Sequence, residues 1–143
     1  MPIVEFHLTE GRQSDDEIGA LLEQATDFYV RTLYPAVDPL PLDRVRAFVS
    51  LHRPQHWATA GVLASDGGAD APYFTCLALA GRPQEQLHAL LRGFTDLIVA
   101  HCRCERRNVR GQVISIAPEN WCIAGEPASM VRASEAERRI RGT

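Results

Sequence analysis

The sequence predicts an α+β fold: a tandem β-α-β repeat whose four main strands form one mixed sheet with two helices on a single face. Three observations carry this expectation. The chain is internally duplicated, each copy repeats the same succession of strand and helix patterns, and the handedness rule for parallel strands fixes how each copy closes. PIVEFHLTEGR (2–12) and PYFTCLALAGR (72–82) align at an offset of 70. IGALLEQATDFYV (18–30) and LHALLRGFTDLIV (87–99) align at an offset of 69, with six of the thirteen positions identical. PQHWATAGVLAS (54–65) and PENWCIAGEPAS (118–129) align at an offset of 64 and share Pro, Trp, Ala, Gly, Ala and Ser at equal spacing. Three ordered matches of this kind are a duplication, not chance.

Each element follows in chain order. Residues 3–9 and 73–79 are short, apolar and β-rich, bounded by Pro on one side and Gly-Arg on the other. Residues 15–33 and 84–101 have helical periodicity, with Ile18, Leu21, Leu22, Ala25, Phe28 and Tyr29 on one face of the first. Ser14 stands three residues before Glu17, the spacing of a capping box. YPAVDPLPLD (34–43) cannot continue a helix and serves as the connection. Residues 45–51 and 109–116 are the second strands, each followed by a short hairpin. The two units are expected at 1–65 and 72–133, with SDGGADA supplying a linker over 66–71 and a polar tail over 134–143 that has at most one helical turn. The two first strands join the units edge to edge. Phe48, Val49, Leu51, Val113, Ile114 and Ile116 make the second strands apolar on both sides, so the sheet face away from the helices is expected to be covered in an oligomer.

Composition narrows the function classes. The 143 residues carry a net charge of −3, which gives no nucleic-acid footprint. No apolar run is long enough for a membrane helix, and the first residues have no basic segment followed by an apolar one, so a cytoplasmic protein without a signal peptide is expected. Cys76, Cys102, Cys104 and Cys122 form no zinc-type spacing and read as reduced thiols. No metal or cofactor is expected. All fifteen basic residues are arginine. Without lysine, the N-terminus is the single amine, so amine chemistry must happen there.

These residues resemble the tautomerase superfamily. PIVEFHLTEGR is similar to the opening strand of 4-oxalocrotonate tautomerase, and PLDRVRAFVS with HWATAGVLAS resembles its second strand and hairpin. NWCIAGEPASMVRA repeats the match, so the resemblance covers roughly residues 2–132 and implies a fused, two-unit member that forms a homotrimer. Asp43-Arg44, VSLHRP (49–54), GRPQEQ (81–86) and ENW (119–121) are similar to malonate semialdehyde decarboxylase, a fused member of the same superfamily. The branch that dehalogenates cis-3-chloroacrylate shares this architecture, but its helix-one histidine finds only Phe28 and Tyr29 here.

The resemblance implies catalysis by Pro2, whose nitrogen becomes a secondary amine once Met1 is removed. Burial and nearby arginines lower such an amine's pKa and allow it to act as a general base; in a wetter site it stays protonated and acts as an acid. Pro72 is acylated and has no basic nitrogen. A strand of ten residues at about 3.3 Å each puts Arg12 roughly 30 Å from Pro2. If the first strands pair antiparallel, Arg82 approaches Pro2 and Arg12 approaches Pro72. The resemblance gives Arg82 the role of gripping a substrate carboxylate. It makes Arg46 or Arg110, without deciding which copy, a further carboxylate or carbonyl ligand. It makes Trp121, and its counterpart Trp57, an apolar wall, and Asp43 an aid to positioning substrate or water. The decarboxylase has a second arginine two residues beyond the first; here Gln84 stands there, which leaves a two-arginine clamp open. His52, His56, His88 and His101 read as surface or hairpin residues. The function implied is keto–enol tautomerisation of a small 2-oxo or enol acid. The alternatives are lyase chemistry on a 3-oxo or unsaturated acid, such as decarboxylation or hydration, and a trimeric binding or scaffold protein without turnover.

Overall fold

The computed structural model describes residues 2–133. The predicted polar tail over 134–143 lies outside them. Strand β1 (Ile3–Thr9) turns Val4, Phe6 and Leu8 into the core, and Glu5 and His7 to the opposite face. Helix α1 (Asp15–Leu33) starts at the predicted box: the Ser14 hydroxyl accepts from the Glu17 amide at 3.1 Å, and the Ser14 amide donates to the Glu17 carboxylate at 3.1 Å. Asp15, Asp16 and Glu17 in its first turn also complement the helix dipole. Strand β2 (Arg46–His52) returns parallel to β1, with Ile3 opposite Arg46. Strand β5 (Tyr73–Leu79), helix α2 (Gln84–Cys102) and strand β6 (Arg110–Ile116) repeat the unit. The second strands begin one residue later than the sequence pattern placed them.

The main sheet has the order β2-β1-β5-β6, with β1 and β5 antiparallel and the outer pairs parallel. Two small hairpins follow β2 and β6: β3 (Ala58–Thr59) with β4 (Val62–Leu63), and β7 (Cys122–Ile123) with β8 (Glu126–Pro127). Each turns on an Ala-Gly pair with both residues at positive φ, +54° and +79° in the first, +52° and +88° in the second. Such a turn matches the twist of the flanking strands, which explains why both copies carry Ala-Gly at this point.

Phe94 sits at the centre of the core. The rings of Tyr29, Phe28, Phe74 and Phe6 surround it at centroid distances of 5.0, 5.1, 5.7 and 5.9 Å. The halves thus share one core. The close approach of the helices depends on Gly93, where a Cβ would lie 1.9 Å from the Phe28 ring.

The second strands are apolar on both sides, as expected, and the sheet face away from the helices mixes apolar with polar side chains. Val49 and Val113 pack on the core. Phe48 and Ile114 lie on the open face and are 44% and 37% exposed. Between them run polar contacts: Ser50 donates to Glu5 at 2.8 Å, and the rings of His7 and His52 hydrogen-bond at 2.8 Å. Among the described residues, no helix is long and apolar enough to cross a membrane.

Candidate active site

The fold has two ends related by the duplication, and each collects the start of a first strand, the start of a second strand, the end of a helix and the hairpin of the other half. At one end is Pro2, fully buried. Its carbonyl accepts from the Arg46 amide at 3.0 Å, which ties the start of β1 to the start of β2. The antiparallel register pairs Ile3 with Leu77, so the end of β5 runs past Pro2. Gly81 then turns the chain at a φ of +99°, where L side chains are strained, and delivers Arg82 to this end. The condition set for this exchange of arginines in the sequence, antiparallel pairing of the two first strands, is met.

Arg82 is half-buried and its partners are neutral. Its guanidinium donates to the Leu33 carbonyl at 3.0 Å and the Gln86 side-chain oxygen at 3.1 Å, and stands 5.1 Å from the centre of the Tyr34 ring. Gln86 donates onward to the Thr32 carbonyl at 2.8 Å, so the arginine is lashed to the end of α1. Burial lowers its pKa, and the charge of Arg132 acts in the same direction against the opposing effect of Tyr34. Arg44 lies 5.3 Å from the same ring. Beside this group is a cavity of about 250 Å³, lined by Ile3, Arg44, Arg46, Trp121, Cys122, Ile123 and Ala124. Trp121 comes from the second half and its indole N–H is buried without a hydrogen-bond partner among the described residues. Arg46 is steadied by the carbonyls of Asp43 at 2.8 Å and Val45 at 3.1 Å. Asp43 itself is exposed and does not line the cavity.

Beneath the site Tyr29 is fully buried. Its hydroxyl donates to the carbonyls of Ile3 and Leu77, bridging β1 and β5 directly behind Pro2. Burial pushes its pKa up and so favours the neutral phenol that donates these bonds.

The opposite end is built alike but is electrically different. The Pro72 carbonyl accepts from the Arg110 amide at 3.2 Å. Arg12 is here, donating to the Gly68 carbonyl at 3.1 Å and facing Asp70 at 3.9 Å. Arg103, at the end of α2, is paired with Glu17 at 2.8 Å. Arg110 and Trp57 line a second cavity of about 390 Å³ with Tyr73 and Asn108. Of the residues singled out from sequence, Pro2, Arg46, Arg82, Trp121 and Asp43 therefore gather at one end, and Arg12, Arg110 and Trp57 at the other.

Tyr34, Arg44 and Arg132 were not singled out by sequence reasoning as site residues. A signal for them was available. Counted at the repeat offsets, their counterparts are Arg103, Asn108 and Gly68, so these are positions where the copies differ in chemistry. Among the described residues, no group of three or more His, Cys, Asp and Glu side chains is placed to hold a metal ion.

No protein-family model matches the chain, and no curated protein matches it. Solved structures do match. The crystal structure of Pt0534 inactivated by 2-oxo-3-pentynoate is 23% identical, with 90% of this chain and 98% of that chain covered and a TM-score of 0.78. The wild-type symmetric trimer of W0 fused 4-OT is 25% identical, with 89% and 98% covered and a TM-score of 0.74. N1, a member of the cis-3-chloroacrylic acid dehalogenase family, is 16% identical, with 99% of both chains covered and a TM-score of 0.67. The chain thus has the fused, two-unit fold of the tautomerase superfamily, its β-α-β halves arranged as in the fused 4-OT proteins.

Proposed function

We propose that this protein is a cofactor-independent keto–enol tautomerase of a small 2-oxo or enol carboxylic acid, acting as a homotrimer through the amine of Pro2. The observation that carries the reading is the contrast between the two ends. At the inert Pro72 end Arg12, the counterpart of Arg82, and Arg103 face the carboxylates of Asp70 and Glu17, while Arg110, like Arg46, bonds to backbone carbonyls. At the Pro2 end Arg82 is half desolvated and bonded to neutral groups alone among the described residues. A guanidinium held in that state is a receptor for an anion, because the charge-assisted hydrogen bonds it lacks are the strong ones.

The chemistry follows from the placement. Arg82 grips the substrate carboxylate. Arg46 and Arg44, on the cavity wall, donate to the 2-oxo or enol oxygen and stabilise charge as it develops there. Trp121 keeps water away, and burial beside several guanidiniums disfavours the cation of the Pro2 amine. The neutral amine takes the enol hydroxyl proton, the enolate's electrons reform the carbonyl, and the same proton is delivered to carbon. The homotrimer is supported by the exposed apolar side chains of the open sheet face and by the trimeric W0 fused 4-OT.

A lyase reading is favoured by the full-length match to N1 and by Asp43, which is exposed and whose backbone carbonyl holds the cavity-lining Arg46. The assay is turnover of phenylenolpyruvate against malonate semialdehyde, with Pro2→Ala as control. The tautomerase reading expects ketonisation of the first substrate, lost by about 10²-fold or more in the variant. Turnover of malonate semialdehyde alone would move the reading to decarboxylation. Unchanged turnover in Pro2→Ala would refute the proline as base, and no turnover of either would favour a binding protein.

A further inference from the structure

We infer that the cavity at the Pro72 end is a second ligand site, which holds a small hydroxylated monocarboxylic acid without turning it over. This goes beyond the tautomerase reading and does not rest on the amine of Pro2. Counted at the repeat offsets, each of the seven residues lining the Pro2-end cavity has its counterpart in the wall of the Pro72-end cavity. The second pocket is therefore a copy of the first and not an accident of packing, and at about 390 Å³ it has stayed open. An eighth lining residue, Ala71, carries the peptide bond that acylates Pro72, so the chain offers no amine here.

Two of the paired positions keep their chemistry. Trp57 walls this cavity as Trp121 walls the other. Arg110 is held as Arg46 is: in each, Nη1 donates to two backbone carbonyls, for Arg110 those of Arg107 at 2.6 Å and Val109 at 3.0 Å. Nε and Nη2 of Arg110 then have no partner among the described residues, and these two parallel donors suit a carboxylate. Three positions have changed. Where the Pro2-end cavity has Ile3, Ile123 and Arg44, this one has Tyr73, Thr59 and Asn108. Two aliphatic groups have become hydroxyls, and one cation has become a neutral amide. Arg12 and Asp70 face each other at 3.9 Å and neither lines the cavity, so Arg110 is its one guanidinium among the described residues. The pocket thus takes a single negative charge, and its other polar groups both donate and accept. The Tyr73 hydroxyl accepts from the Gln112 amide at 2.6 Å, which leaves its own proton for a ligand oxygen. The ligand that matches has a carboxylate for Arg110, an apolar body for Trp57 and a hydroxyl for Tyr73, Thr59 and Asn108.

The chain has two tryptophans and each walls one cavity, so each end reports separately. The test is a fluorescence titration of full-length Trp121→Phe, in which Trp57 is the single tryptophan emitter. The probes are trans-4-hydroxycyclohexanecarboxylate, its amide, and cyclohexanecarboxylate. None of them can ketonise, so turnover plays no part. All titrations are run at one pH, because the His52 ring lies 5.2 Å from that of Trp57. The hydroxy acid is expected to change Trp57 emission to saturation. The amide should bind about tenfold more weakly, and the acid without the hydroxyl a few-fold more weakly. Adding Arg110→Gln should remove the advantage of acid over amide, and adding Tyr73→Phe should reduce that of the hydroxyl. In Trp57→Phe, where Trp121 reports the Pro2 end, the hydroxyl should bring no advantage. If Arg110→Gln does not fold, the comparison of acid with amide carries the test. No saturable change at Trp57, equal binding of acid and amide there, or an acid preference that survives Arg110→Gln would overturn the second site. An equal hydroxyl advantage at Trp121 would overturn the ligand class assigned to it. Absence of phenylenolpyruvate turnover would refute the tautomerase reading and leave the second site standing.

Discussion

Asp70 and Arg82 mark the difference between an arginine that has been silenced and one that has not. Burial raises the Asp70 carboxyl pKa above its ordinary value, with Arg12 at 3.9 Å offsetting part of the effect. A carboxyl raised in this way binds more protons folded than unfolded, so it favours the fold at low pH and the benefit is lost as the pH rises through its raised value. Asp70→Asn keeps the shape without the charge. It is expected to melt like the wild type well below the carboxylate range and slightly higher at neutral pH. A lower melting temperature at neutral pH would mean that the pair with Arg12 outweighs burial. Much at this scale was legible in the sequence. The absence of lysine singles out the Pro2 nitrogen as a candidate, and strand length with an antiparallel pairing places Arg82 at the same end of the sheet. Tyr34 is not legible there, because what makes it notable is the packing of Arg44 and Arg82 against its ring, and a linear pattern does not record that.

Elements were more legible than residues, for physical reasons that can be named. The two first strands were found at their observed bounds because Pro stops them on one side and a positive-φ glycine turns them on the other. Helix α1 was found through its capping box. The second strands are apolar on both sides, with Val49 and Val113 toward the helices and Phe48 and Ile114 on the open face, but the periodicity did not bring out that Glu5, His7, Ser50 and His52 share that face. The helix pair adds a constraint of its own. Gly93 allows α2 to meet the Phe28 ring, which is itself held edge-on by Phe94 at 5.1 Å. Gly93→Ala would gain helix propensity but force that ring aside. The net expected is a destabilisation of about 1–2 kcal/mol, read from denaturant melts, with overpacking outweighing propensity. A stabilised variant would show that Phe28 can move freely, and with it the aromatic cluster.

For the whole molecule, duplication is the governing fact. One fused chain has two ends but one amine, and the second end is free to lose its chemistry while keeping its shape. Trp121 shows the cooperation this allows: it is supplied by one half and walls the site of the other. The open sheet face then has to be covered for a trimer to form, and Phe48 stands on it 44% exposed. Sedimentation of the wild type should give about three times the 15.8 kDa chain mass. Phe48→Glu should shift it toward the monomer, since a charge would be buried at the contact. A monomeric wild type would contradict the assembly. The central claim concerns the nitrogen of Pro2, and the reagent that inactivates Pt0534 reads it directly, because the triple bond of 2-oxo-3-pentynoate is an electrophile for a neutral amine. Intact and peptide mass spectra after treatment at neutral pH are predicted to show an N-terminus lacking Met1 and one adduct, on the peptide that begins with Pro2. A retained methionine, or an adduct on cysteine with Pro2 unmodified, would contradict the account.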